Sequence, residues 1–140
     1  MQGTTILKGR ISDAIASIRA YQESIANGFK KIETIKAKFD PIVAETNAFI
    51  RSLPPDDRTI EDAGIASRNA SIEEAFRTLE ETRPRFDEAN SEASVLIKSV
   101  TPLPEDLYKL GGIEASQKLE VMLENFRKIT MDMLNAVAFL

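Results

Sequence analysis

The side chains best suited by type and spacing to chemistry are acidic. Asp56, Asp57, Glu61 and Asp62 crowd one short segment, and oxygen ligands of this kind suit Ca²⁺ or Mg²⁺. Their order does not match the alternating Asp/Asn pattern and central glycine of an EF-hand loop. They read instead as solvated acids at the start of a helix, where negative charge complements the helix dipole. Glu73-Glu74 and Glu80-Glu81 lie two helical turns apart. A di-iron site in a helical bundle needs Glu-x-x-His motifs on facing helices. The chain has no histidine, so these pairs read as a solvated acidic face.

Cysteine is absent as well. That removes disulfides, thiolate nucleophiles and sulfur ligands, and the missing imidazole removes the usual acid–base group near neutral pH. Serine is plentiful, and lysine can serve as the base of a Ser-Lys dyad. No segment, however, looks like the strained turn that presents a nucleophile beside an oxyanion hole. The glycines, at positions 3, 9, 28, 64, 111 and 112, form no phosphate-binding loop. Tyr21 and Tyr108 read as core residues with hydroxyls near the surface, because nucleotide-stacking aromatics come with basic grooves. Asn69-Ala70-Ser71 matches a glycosylation acceptor, but no signal peptide accompanies it. No catalytic, cofactor-binding or metal-binding residue is therefore nominated. The expectation is a protein that is not an enzyme and takes no cofactor, metal or small-molecule substrate.

Elements that could position any site must be helices. The first third carries a heptad row: Leu7, Ile11, Ala14, Ile18, Tyr21, Ile25, Gly28, Ile32, Ile35, Phe39, Ile42, Thr46, Phe49 and Leu53. Steps of three and four alternate without a break, as in the seam of a supercoiled helix. Asp40-Pro41 reads as a cap followed by a first-turn proline, so a kink or brief break is expected there. Pro54-Pro55 ends the segment. Thr59-Ile60-Glu61-Asp62 and Ser71-Ile72-Glu73-Glu74 are both capping-box patterns.

A second row runs Ile72, Phe76, Leu79, Arg83, Phe86, Asn90, Ala93, Ile97 and Val100, with a kink expected at Arg83-Pro84. Arg83 and Asn90 either fix register as buried polar residues or face solvent. Thr101-Pro102-Leu103-Pro104 ends that helix. A short helix over 104–110, closed by Gly111-Gly112, is expected next. The last helix begins near Ile113, with Ala115, Leu119, Met122, Phe126, Ile129, Met133, Ala136 and Leu140 on its seam. Additional apolar rows, Ile15, Phe29, Val43 and Ile50 on the first helix and Leu123, Leu134 and Val137 on the last, widen each stripe so that it needs two neighbours. The fold expected is an all-α, elongated antiparallel bundle of three long helices with coiled-coil-like packing, as one domain over residues 1–140. The first helix is the longer, so part of it protrudes or pairs with a second copy.

Charge is distributed unevenly along a chain of net −4: residues 1–40 carry +3, 41–107 carry −7 and 108–140 carry none. This suits complementary helices lying side by side better than a nucleic-acid surface. No run approaches the ~18 apolar residues of a membrane span, and the N-terminus lacks a signal-peptide core. A cytoplasmic location is favoured, with export by a route needing no cleaved signal as the alternative, and no stable membrane insertion is expected.

The most suggestive segment is the C-terminal one, apolar nearly all the way round. Met131, Met133, Leu134, Val137, Phe139 and Leu140 are the candidate partner-binding residues, because Met-rich helix surfaces pack adaptably. The expected function is a non-enzymatic protein-interaction or assembly module, self-associating through its seams as a homodimer. The alternatives are a small acidic secretion chaperone or secreted effector, and a membrane-active helical protein using its apolar end.

Overall fold

Apolar residues at three- and four-residue spacing leave each segment one way to hide them, which is to coil and pack against another coil. The computed structural model describes residues 2–100, 105–138 and 140, with side-chain surroundings for 6–100, 112–138 and 140. Three helices account for nearly all of it: α1, Gln2–Ser52; α2, Ile60–Val100; and α3, Glu105–Val137. No strand occurs among the described residues, and each helix packs on the other two. Phe29 and Lys36 of α1 meet Phe86 and Glu80 of α2, so the two run antiparallel. Phe86 and Arg85 of α2 meet Phe126 and Asp132 of α3, again antiparallel.

The turn between α1 and α2 is dictated locally. Pro54 and Pro55 supply no backbone donor, and Pro55–Asp57 forms a single 3-10 turn. Thr59 then caps α2: its Oγ1 accepts from the Asp62 N–H at 3.1 Å, while its own N–H donates to Asp62 Oδ2 at 2.9 Å. Two orphan donors are satisfied reciprocally. The other capping-box pattern starts nothing. Ser71 lies inside α2 and turns its hydroxyl back to the Ser67 carbonyl at 3.2 Å.

Of the expected interruptions, the brief break at Pro41 does not occur: α1 runs unbroken through Pro41, as α2 does through Pro84. Each proline removes one helical donor, but dozens of flanking helical residues and an apolar face packed on neighbours hold the helix together. The short helix over 104–110 does not exist separately. α3 begins at Glu105 and passes straight through Gly111-Gly112. A glycine inside a helix costs only about 1 kcal/mol relative to alanine, less than the burial of the long helix returns. The expected stop at Thr101–Pro104 lies outside the described residues.

The core has one aromatic centre to which all three helices contribute. Phe29 and Phe86 lie 5.7 Å apart, and Phe86 and Phe126 meet edge-on at 6.3 Å. Ile18, Leu119, Phe126 and Ile129 of the same core are completely buried. The α3 seam is as expected: Ala115, Leu119, Phe126, Ile129, Met133 and Ala136 are buried, and Met122 and Leu140 pack partly against them.

On α1 the heptad count loses the core. Val43 and Ile50 are buried, while Ile42 and Phe49 are 59% and 60% exposed. A straight helix drifts about 20° per heptad from a seven-residue repeat, which amounts to one residue after five heptads. α1 is long enough for that drift to move the buried face onto its second apolar row; α3 is not. On α2, Thr82 and Ala89 are buried beside the expected positions Arg83 and Asn90. Thr82 satisfies its hydroxyl on the Thr78 carbonyl at 2.8 Å. Arg83 swings to the edge, pairs with Glu33 and lies 5.1 Å over the Phe29 ring. Asn90 keeps a buried Oδ1 with no hydrogen-bond partner.

Gly28 of α1 faces Met133 of α3. A Cβ built there would lie 3.3 Å from Met133 Cε, whereas one built on Gly64 of α2 meets nothing within 4 Å. Gly28→Ala and Gly64→Ala should each raise stability by about 0.5–1 kcal/mol, since both positions are helical and a methionine tip gives way easily. Urea unfolding with an unchanged m-value measures this. Destabilisation by Gly28→Ala alone would mean that the Met133 tip is pinned.

Candidate functional site

α3 is shorter than its neighbours. With 33 residues against 51 in α1 and 41 in α2, it spans about 50 Å beside helices of about 76 and 62 Å. Beyond its end, α1 and α2 continue as a two-helix hairpin. Phe39 and Phe76 meet at 6.4 Å. Nearer the tip, Asn69 Nδ2 donates to Asn47 Oδ1 at 2.9 Å, and Asn47 Nδ2 donates to Glu73 Oε1 at 3.4 Å. Asn69 is buried in this contact, so the glycosylation pattern at 69–71 is spent on helix pairing.

The candidate partner-binding residues divide at this junction. Met131, Leu134 and Val137 are 53%, 58% and 38% exposed, on the outside of the last turns of α3. Met133 is buried against the Gly28 position, and Leu140 packs partly on the core. Phe139 lies outside the described residues. The structure therefore brings Met131, Leu134 and Val137 to the surface and withdraws Met133 from it.

Sequence reasoning missed two features of the same region. The first is the exposure of Ile42 and Phe49. They belong to a seven-residue row with Tyr21, Gly28 and Ile35. Tyr21 and Ile35 pack on the core and Gly28 meets Met133. Further along α1 the row is exposed at Ile42 and Phe49. The second is a cleft of about 660 Å³ where α3 ends against α2, lined among others by Ser67, Ser71, Ala75, Thr78, Asn135 and Ala136. Its signal lay in the small residues of α2, which resemble a solvated face when read alone. At the opposite end of the bundle, Val95, Leu96, Val121 and Met122 line a shallower apolar groove between α2 and α3, with Val95 and Val121 each 70% exposed.

The polar clusters resolve into helix pairing. Lys36 Nζ donates to Glu80 at 2.5 Å. That hydrogen bond holds the Glu80 carboxyl below, and the Lys36 ammonium above, their ordinary ranges. Glu74 pairs with Arg77, and Arg85 with Asp132. Asp62 completes the Thr59 cap of α2, while Asp56 and Asp57 are exposed in the 3-10 turn. Among the described residues no three acidic side chains gather as a metal site, and no helix is long and apolar enough to cross a membrane.

No family model, curated protein or solved structure matches this chain.

Proposed function

We propose that the protein is a non-enzymatic helical interaction and assembly module whose working surface is the uncovered end of the bundle. One observation carries the reading: the apolar row of α1 that meets Met133 of α3 at Gly28 and packs on the core at Ile35 is exposed at Ile42 and Phe49. Large apolar side chains left exposed on a helix face are a mark of partner-binding surfaces. Long helices presenting such a face bind other helices by packing side chains into grooves. Its polar groups serve pairing between helices, as the Asn47–Asn69 and Lys36–Glu80 contacts illustrate.

Sedimentation velocity across a concentration series, with affinity purification from the native host, tests the reading. Concentration-dependent association, or a protein captured by the wild type and lost when Ile42 and Phe49 are both changed to Glu, is the expected result. A chain that stays strictly monomeric and retains no protein through this face overturns it.

A further inference from the structure

We infer that the groove between α2 and α3 is a self-association face, on which two copies of this chain pair across a two-fold axis. It is a second surface, remote from Ile42 and Phe49. Val95 and Val121 line the groove, one on each wall, and each is 70% exposed. The Arg85–Asp132 pair sets the antiparallel register of the two helices. Ten residues on along α2 and eleven back along α3, Val95 and Val121 lie level with each other. Each valine is the centre of a charge pattern that changes sign about it. On α3, Glu114 and Lys118 precede Val121 by seven and three residues, and Glu124 and Lys128 follow it by three and seven. On α2, Glu92 precedes Val95 by three residues and Lys98 follows it by three. All six charged residues are exposed, and residues three or seven apart share one side of a helix.

A pattern of this kind is complementary to its own reversal. A two-fold axis crossing the groove at the level of the valines lays α3 on α3 and α2 on α2, each pair antiparallel. Val95 and Val121 then meet their own copies. Glu114 comes level with Lys128 of the other copy, Lys118 with Glu124 and Glu92 with Lys98, and the symmetry makes each pairing twice. A two-fold axis along the helices would instead lay α2 on α3. It would set Glu92 level with Glu124 and Lys98 level with Lys118, so like charges would oppose each other. Charge thus selects the crossing axis. From Glu114 to Lys128 the face extends about 21 Å, and two helices make it about 20 Å wide. That gives roughly 400 Å² per copy and about 800 Å² in total, the size of a weak, reversible association.

Sedimentation velocity of the full chain over a wide concentration series tests this, with circular dichroism confirming that each variant keeps its helix content. Wild type is expected to show a concentration-dependent dimer. Val95→Glu/Val121→Glu should weaken it about 100-fold or more, because each introduced carboxylate meets its own copy across the axis. Glu114→Lys should weaken it about tenfold by opposing two lysines twice, and adding Lys128→Glu should restore it. Ile42→Glu/Phe49→Glu should leave it intact. A chain that is monomeric at every concentration overturns the inference, as does a dimer that survives Val95→Glu/Val121→Glu. Failure of Lys128→Glu to rescue Glu114→Lys overturns the antiparallel pairing on which it rests. A dimer lost only in Ile42→Glu/Phe49→Glu also overturns it and moves self-association to the face proposed above.

Discussion

Phe126→Ala lowers the stability of the protein by about 3–5 kcal/mol, the cost of removing a large buried aromatic whose cavity relaxes only in part. Phe126 is 0% exposed and packs edge-on against Phe86, which in turn meets Phe29. One truncation therefore strips contacts from the point where all three helices converge. Domains of this size hold only about 5–15 kcal/mol in total, so the loss is a large fraction of the whole. The melting temperature should fall by roughly 10–20 °C. Val121→Ala, on the same helix but 70% exposed, should change stability by less than about 0.5 kcal/mol. Equal effects at the two positions would mean that α3 is not docked by the face described.

Asn90→Leu is expected to do the opposite and stabilise the fold by about 1–3 kcal/mol. The Asn90 Oδ1 is buried and unpartnered, and a buried acceptor that leaves water without a new donor costs about that much. Position 90 lies in phase with Phe86, Ala93 and Ile97, which are buried, so an apolar side chain fits the surrounding face. Chemical unfolding of the wild type and the variant measures the gain. A destabilised Asn90→Leu would show that the amide has a donor in solution. A variant that is more stable but forms mixed assembly states would show that Asn90 specifies register, as isolated polar residues do in helical seams.

Which segments are helical was legible because burial on one side imposes a short-range period, and that period survives in the order of residues. The Thr59–Asp62 cap and the Pro54-Pro55 break were legible for the same reason, since both act within a few residues. The α3 seam was legible because that helix is too short for drift to displace it. The face of α1 past Pro41 was not. Ile42 and Ile50 are equally apolar and sit on adjacent rows, and only accumulated helical twist decides which row reaches α2. Gly111-Gly112 misled for a related reason: local propensity differences of about 1 kcal/mol are overridden when a whole helix is anchored elsewhere.

The sequence alone determined that this protein is all-α with three long helices, where its first turn falls, and that histidine and cysteine chemistry is unavailable to it. The tertiary structure alone decided that Val43 and Ile50 are buried while Ile42 and Phe49 are exposed, that Thr82 takes the core position Arg83 vacates, and that Asn69 is locked to Asn47. The division has a physical cause. Helix formation and capping are settled by neighbours within about one turn. Exposure at a given position depends on twist accumulated over many turns and on which face a helix far along the chain packs against.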